Sequence, residues 1–167
     1  MLPTTASPPT ARSYWVHQLI KHLFGQVLIP AFQRWHGLAS IRAQQRILQG
    51  LPPGTVGRTV ADLLAAHGLH LIPGYESHDL KHVLLGYAMT PGNELQLKAF
   101  MLGNGDWSVP NLALLSLALF TPAEWPDLWQ HYQWGRRTPS IVRWHLFDYA
   151  AHNLAELRQQ LGTQASN

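Results

Sequence analysis

The sequence predicts an all-α fold, a single irregular bundle of about seven helices. Apolar residues recur at spacings of three and four along most of the chain, and no segment alternates apolar and polar residues with the period of a strand. Pro and Gly clusters separate these periodic segments. A chain of 167 residues fits one domain. We expect residues 1–13 to be a disordered lead, 14–162 to form the domain, and 163–167 to be a flexible tail.

The bounds of the predicted helices follow from their apolar faces and from capping residues. Thr55 begins one helix, Ser77 is a predicted N-cap, and Asn93 is predicted to cap a helix that starts at Glu94 after the Pro91-Gly92 interruption. The predicted helices span about 14–32, 39–49, 55–68, 77–89, 94–102, 111–120, 122–134 and 140–161, the last of them either continuous or divided.

Composition excludes several classes of function. Lys and Arg number 12 against 9 Asp and Glu, and this small excess is scattered, so we expect no nucleic-acid ligand. The absence of cysteine excludes disulfides and thiolate metal ligands. The longest apolar run, Leu112 to Phe120, is far shorter than the ~20 residues of a spanning helix. Together with the lack of a secretory signal, this predicts a cytoplasmic protein, with peripheral attachment to the inner face of the membrane as an option.

His78 and His82 are the centre of a predicted metal site. They are four residues apart, so a helix places both imidazoles on one face. Asp79 lies about 100° around the helix from His78, where its carboxylate reaches the same ion or orients a ligand. Glu94 follows the Pro91-Gly92 turn, which can bring it back towards the two histidines. Imidazole and carboxylate donors suit zinc, iron or manganese, and the spacing does not choose among them.

Other interpretations of these residues stay open. A His pair at this spacing also arises by chance in a chain with 10 His. Asp79 stands where the HExxH motif of metallopeptidases has its catalytic Glu, which argues against a peptidase. A His-Asp phosphohydrolase would need further ligands, with His36 or His67 upstream and Asp127 or Asp148 downstream. His67 and His70 hint at a second site, although solvent exposure explains them more simply.

The same residues resemble the signature of a known family. His78-Asp79-Leu80-Lys81-His82, 11 intervening residues and Glu94 resemble the HDxxH-x11-E motif of the Coq-four family of ubiquinone biosynthesis proteins. Three flanking segments are also similar to that family: Leu51 to Gly57, Val83 to Tyr87, and Gln96 to Phe100. The resemblance covers about residues 35 to 162 and includes Leu154 to Leu161 near its end.

The chain also departs from the family pattern. Asn93 separates Gly92 from Glu94, which are adjacent in the family, and Asp148-Tyr149 stands where the family has Asp-Trp. The chain lacks the transit peptide of mitochondrial members, so it resembles a bacterial relative. These departures bear on the exact substrate more than on the fold or the metal.

The resemblance implies a helical protein that holds a divalent cation, zinc in the usual family description, with iron, manganese and magnesium as alternatives. His78, Asp79, His82 and Glu94 would be its ligands, and Asp79 or Glu94, if not ligated, its general base. The implied reaction is loss of the ring carboxylate of a polyprenylated hydroxybenzoate, coupled to hydroxylation at that carbon. The family is also described as organising other quinone-biosynthesis proteins at a membrane, and we list a homodimer among the expected assemblies.

An isoprenoid substrate needs an apolar groove and a place for its polar head. Tyr87 and Met89 follow the metal helix closely and are the predicted lipid contacts. Arg136 and Arg137 could hold an anionic head group, although a solvated surface pair explains them as well. A second interpretation of the whole chain is a lipid-binding scaffold without catalysis, in which the metal only fixes the local structure.

Overall fold

The structure, a computed structural model, describes residues 11–22, 38–72 and 74–162. These residues contain no strand, and one isolated antiparallel bridge joins Thr55 to Asn153. The all-α class is therefore confirmed. The described helices are α1 (Ala11–His22), α2 (Leu38–Gln49), α3 (Val56–Ala66), α4 (Glu76–Leu85), α5 (Pro91–Gly103), α6 (Val109–Leu115), α7 (Trp125–Arg137), α8 (Leu146–Tyr149) and α9 (Leu154–Gln160), with 3-10 turns at Ser116–Phe120 and Pro122–Glu124.

The described residues fall into two compact units. One contains α1 and residues 87–143, and the other contains residues 38–86 and 144–162. The single domain over residues 14–162 stays a prediction. The predicted lead over residues 1–13 lies outside the described residues except for the first turn of α1, and the predicted tail lies entirely outside them.

In the first unit, α5 and α7 pack with their backbones in contact. A Cβ on Gly103 would overlap the carbonyl oxygen of Tyr132, and a Cβ on Gly135 would overlap that of Phe100. Only glycine allows this approach from both sides. The crossing brings Phe100 against Trp134, with ring centroids 4.8 Å apart.

Asn104 fixes the chain after both of these helices. Its buried side-chain Nδ2 donates to the carbonyl oxygens of Gly135 and Thr138 at 3.1 and 3.0 Å. Its Oδ1 accepts from the backbone nitrogen of Ile141 at 2.8 Å. One amide therefore bonds to three backbone groups near the ends of the two helices.

In the second unit, the start of α3 is held by the segment before α9. The Thr55 hydroxyl caps α3 by accepting from the backbone nitrogen of Arg58 at 3.4 Å, which confirms the predicted start. The backbone nitrogens of Val56 and Gly57 donate to the carbonyls of His152 and Ala150. These bonds bring the apolar face of α3 into a core of fully buried side chains: Val56, Val60, Leu64, Leu80, Leu84 and Leu146.

Arg158 of α9 fixes the end of α4 in the same unit. Its guanidinium donates to the carbonyl oxygens of Val83 and Leu84 at 2.6 and 3.2 Å. Burial lowers the pKa of Arg158, although its usual value is far above neutrality and the side chain stays charged. A cation at the C-terminus of a helix also interacts favourably with its dipole.

Two predicted caps were wrong. Helix α4 begins at Glu76 with Tyr75 as N-cap, because the turn after Ile72 places the cap two residues earlier, and the Ser77 hydroxyl instead lies 3.1 Å from Nδ1 of His145. Helix α5 begins at Pro91 rather than Glu94. Its cap is Thr90, whose hydroxyl accepts from the backbone nitrogen of Asn93.

Other helix ends also differ from the prediction. Helix α4 ends at Leu85 rather than Met89, because Gly86 adopts φ 77° and closes the helix with a bond to His82. The segment over 140–161 is divided into α8 and α9, which is one of the two alternatives predicted for it. Residues 23–32 of the first predicted helix lie outside the described residues. Among the residues that the structure describes, no helix combines the length and the apolar character needed to cross a bilayer.

Candidate metal centre

Helix α4 presents two histidines on one face. His78 is half-buried, His82 is 1% exposed, and their ring centroids are 4.5 Å apart. Their spacing of four residues on a helix explains this geometry. The ring of Tyr75 lies 4.6 Å from that of His78, so it covers one side of the imidazole. The structure therefore brings the two histidines together as predicted.

Glu94 completes a three-residue group. It lies in the first turn of α5 and is 9% exposed. One ring nitrogen from each of His78 and His82 and one carboxylate oxygen of Glu94 lie within 4.8 Å of one another. This group could hold a metal ion, and its donors suit zinc as well as iron or manganese.

Asp79 is not part of this three-residue group. Its buried Oδ1 lies 3.6 Å from Nδ1 of His78. This distance is that of an ion pair and is longer than a hydrogen bond. The predicted roles of Asp79 as ligand or general base stay predictions.

Lys98 was not among the residues predicted from sequence, yet it lies beside the group. Its Nζ is 3.4 Å from Oε1 of Glu94, and the residue is 8% exposed. The signal was present in the sequence, since Lys98 follows Glu94 by four residues on the same helix. A positive charge at this distance attracts the Glu94 carboxylate, the oxygen donor of the group.

Tyr87 is buried, and its hydroxyl oxygen lies 2.6 Å from Nδ1 of His131. Burial raises the pKa of the Tyr87 phenol, and the nearby carboxylate of Asp127 raises it further, so the phenol stays neutral. The sequence did not indicate a role for His131, because no helical spacing connects it with Tyr87. The Tyr87 hydroxyl therefore has a hydrogen-bond partner within the first unit.

The remaining predicted contacts lie at the surface or near it. Met89 is half-buried, and Arg136 and Arg137 are exposed in the last turn of α7. Cations in that position interact favourably with the helix dipole, which is a sufficient structural role for both. The predicted contacts of these three residues with lipid stay predictions.

Among the residues that the structure describes, those required by a His-Asp phosphohydrolase do not form a second cluster. His67 is exposed and bonds through Nδ1 to the carbonyl of Leu63, and His36 lies outside the described residues. Asp127 instead accepts a hydrogen bond of 2.6 Å from Gln96. Within residues 11–22, 38–72 and 74–162, the group of His78, His82 and Glu94 is the one set of three such side chains with metal-binding geometry.

Comparisons with solved structures support the fold. A crystal structure from Nostoc punctiforme, of a protein provisionally assigned to ubiquinone biosynthesis, matches with a TM-score of 0.56 and 20% identity. The match covers 93% of this chain and 83% of the Nostoc chain. At that identity, the likeness concerns the fold alone. No protein-family model matches the chain.

Several curated proteins are also similar to this chain in sequence. The mitochondrial ubiquinone biosynthesis protein coq4 of Pyrenophora tritici-repentis is 26% identical, over 70% of this chain and 48% of the relative. The protein of the same name from Aspergillus niger is 28% identical over the same shares of the two chains. The chain thus spans about half the length of the curated relatives it matches. The resemblance to the Coq-four family is confirmed in this form: the chain has curated homologues named ubiquinone biosynthesis protein Coq4.

Proposed function

We propose that this chain is a metal-dependent protein of ubiquinone biosynthesis that acts on a polyprenylated hydroxybenzoate. The homologues support a role in ubiquinone biosynthesis. The observation that carries the proposal is the convergence of His78, His82 and Glu94, the three residues that match the family signature by type and spacing. In the proposed reaction the bond between the ring and its carboxylate breaks with release of CO2, a C–O bond forms at the same carbon, and dioxygen, as an external two-electron oxidant, accepts the electrons.

The donor set fits a divalent ion. Two imidazoles and one carboxylate are the protein ligands of several catalytic metal sites, which leave further positions open for substrate. His82 and Glu94 are nearly excluded from solvent, so their donor atoms are already desolvated. The carboxylate of Asp79 faces Nδ1 of His78, which would leave Nε2 of that ring for the ion.

In the proposed mechanism, the residues around His78, His82 and Glu94 have separate roles. A bound divalent ion would supply Lewis acidity towards a phenolate or carboxylate oxygen of the substrate. Asp79 would hold the His78 ring in one orientation, and Tyr75 would keep water from one face of that ring. Lys98 would add a positive charge beside the group that attracts the substrate carboxylate.

Exposed apolar side chains support a lipid substrate at a membrane surface. Trp125 and Trp129 are 50% and 59% exposed and lie four residues apart on one face of α7, with Arg136 further along the same face. Leu119 and Phe120 are exposed in the 3-10 turn just before, and Trp125 bonds to the carbonyl of Ala118 in that turn. Tryptophan prefers the interface between water and lipid, and arginine can pair with phosphate head groups there.

The direct test combines metal analysis with turnover. We expect purified protein to contain one equivalent of a divalent metal and to convert a short-chain prenylated hydroxybenzoate to the corresponding hydroxylated, decarboxylated product. The double variant H78A/H82A should lose both the metal and the activity. H67A is the matched control, because His67 is exposed and outside the group. Full activity in the double variant would refute the proposal.

A lipid-binding scaffold is the second candidate, favoured by the same exposed aromatic residues on α7. In that case wild-type protein would show no turnover with any prenylated hydroxybenzoate, yet it would retain isoprenoid lipid after purification. The variant H78A/H82A would then lose the lipid together with the metal. Mass spectrometry of the lipid that co-purifies with each protein separates the two functions.

A further inference from the structure

A cleft of about 350 Å³ opens in the second unit, beside α2. Its lining residues are Arg42, Gln45, Arg46, Gln49 and His70. The first four recur at spacings of three and four, so they form one stripe along α2, and His70 faces them from the segment after α3. Every lining side chain can donate a hydrogen bond, and none is a carboxylate.

The two arginines of this cleft have no acidic partner among the residues described. Arg58 on the neighbouring helix makes the contrast clear, because its Nε binds both oxygens of Asp62 at 2.9 and 3.1 Å. Arg42 and Arg46 stand four residues apart on one helix face, where like charges repel each other and destabilise the helix. An anion bound between the two guanidinium groups would attract both of them and offset their repulsion.

Neighbouring bonds limit how these donors can move. The Nε of Arg46 donates to the carbonyl oxygen of Arg42 at 3.3 Å, which leaves the terminal nitrogens of its guanidinium for a ligand. Nδ1 of His70 lies 3.0 Å from Oε1 of Gln45, which is 8% exposed. A carboxamide oxygen only accepts, so Nδ1 of His70 carries the proton and the ring is fixed against α2.

We propose that this cleft binds a phosphate or diphosphate group, held by the guanidinium groups of Arg42 and Arg46. Arginine presents paired N–H donors that match the oxygens of a phosphate, and a cleft without carboxylates has no group that repels one. The group can belong to a soluble phosphate ester or to a lipid head group, since both present the same oxygens. This site is separate from the metal centre and does not depend on its function.

The test measures binding of two probes at fixed ionic strength. Isothermal titration calorimetry with inorganic pyrophosphate examines the soluble source, and sedimentation with phosphatidylcholine vesicles, with and without phosphatidic acid, examines the lipid source. R46Q should weaken the binding at least about tenfold, as expected for the loss of a hydrogen bond to a charged group. R42Q/R46Q should abolish it. The control R143Q removes the same charge at an exposed position outside the cleft and should bind like the wild type.

Each outcome decides the proposal. Pyrophosphate binding that depends on Arg46 supports the soluble source, and binding only to phosphatidic acid vesicles with the same dependence supports the lipid source. The proposal is overturned if the wild type binds neither probe, or if R143Q loses as much binding as R46Q. All three arginines are exposed, so thermal melts of the variants should match the wild type and exclude unfolding as the cause.

Discussion

The hydroxyl oxygen of Tyr87 lies 2.6 Å from Nδ1 of His131, and both residues are buried. The short distance requires a hydrogen between the two atoms, carried either by the phenol or by Nδ1 of the ring. Nε2 of His131 lies 3.6 Å from Oδ1 of Asp127. Asp127 also accepts from Gln96 at 2.6 Å. A buried phenol is thus linked through one imidazole to a carboxylate at the surface.

This pair predicts a loss of stability in acid. Burial lowers the pKa of His131, and the carboxylate of Asp127 opposes the shift without cancelling it. Just below the unfolded pKa of about 6.5, the unfolded chain therefore binds more protons than the folded chain, and stability falls as the pH falls. We expect the free energy of unfolding to decrease between about pH 7.5 and pH 5.5, and to decrease less in H131Q. Urea titrations at both pH values measure this, and an equal decrease in H131Q would contradict the assignment. H152Q, at an exposed position, is the control.

Removing the Tyr87 hydroxyl tests the hydrogen bond to His131 by changing its other partner. Y87F leaves Nδ1 of His131 buried without its hydrogen-bond partner, which should cost about 1–3 kcal/mol in the free energy of unfolding. Y14F removes a hydroxyl from a tyrosine that is 54% exposed and should change little. Chemical denaturation near neutral pH compares the two variants. Equal stability of Y87F and the wild type would mean that the bond contributes nothing.

The close crossing of α5 and α7 predicts that replacing Gly103 with alanine destabilises the protein. In G103A the new methyl group would overlap the carbonyl oxygen of Tyr132, and neither backbone can move without separating the helices. We expect destabilisation of about 3 kcal/mol or more, the upper range for overpacking. In G50A the nearest atom to the methyl group would be 3.4 Å away, so this control should be nearly neutral. Thermal melts of both variants provide the comparison.

Lys98 should weaken metal binding. Its Nζ lies 3.4 Å from the Glu94 carboxylate, so it competes with the proposed ion for the same oxygen. We expect K98M to bind zinc about fivefold more tightly, because removing a repulsion of about 1 kcal/mol changes an equilibrium by that factor. K98R keeps the charge and should bind like the wild type. Competition with a chromogenic chelator measures both affinities, and equal values for K98M and K98R would exclude the electrostatic explanation.

Metal removal should lower the stability of the wild type more than that of a ligand variant. An ion that binds only the folded chain stabilises it by about 2.7 kcal/mol when present at a hundredfold excess over its Kd. Adding a chelator should therefore lower the Tm of metal-loaded wild-type protein, and it should leave the Tm of H82A unchanged. Differential scanning fluorimetry records both. Identical responses would indicate that His82 does not hold the ion.

The sequence by itself determined the all-α class and the core of the candidate site. Helical spacing is local, so the pairing of His78 with His82 and the cap of α3 at Thr55 followed from neighbouring residues. The caps at Ser77 and Asn93 were wrong because several residues near each helix start can cap it, and the surrounding turn selects one. The same helical spacing also places Lys98 next to Glu94, although Lys98 was not predicted to lie at the site.

Only the tertiary structure decided which distant groups meet. Tyr87 is 44 residues from His131, and His70 is 25 residues from Gln45, so no local period links either pair. The approach of α5 to α7 likewise depends on two glycines, Gly103 and Gly135, on different helices. Such contacts arise when buried surfaces pack, and packing depends on the whole set of side chains rather than on the spacing within one helix.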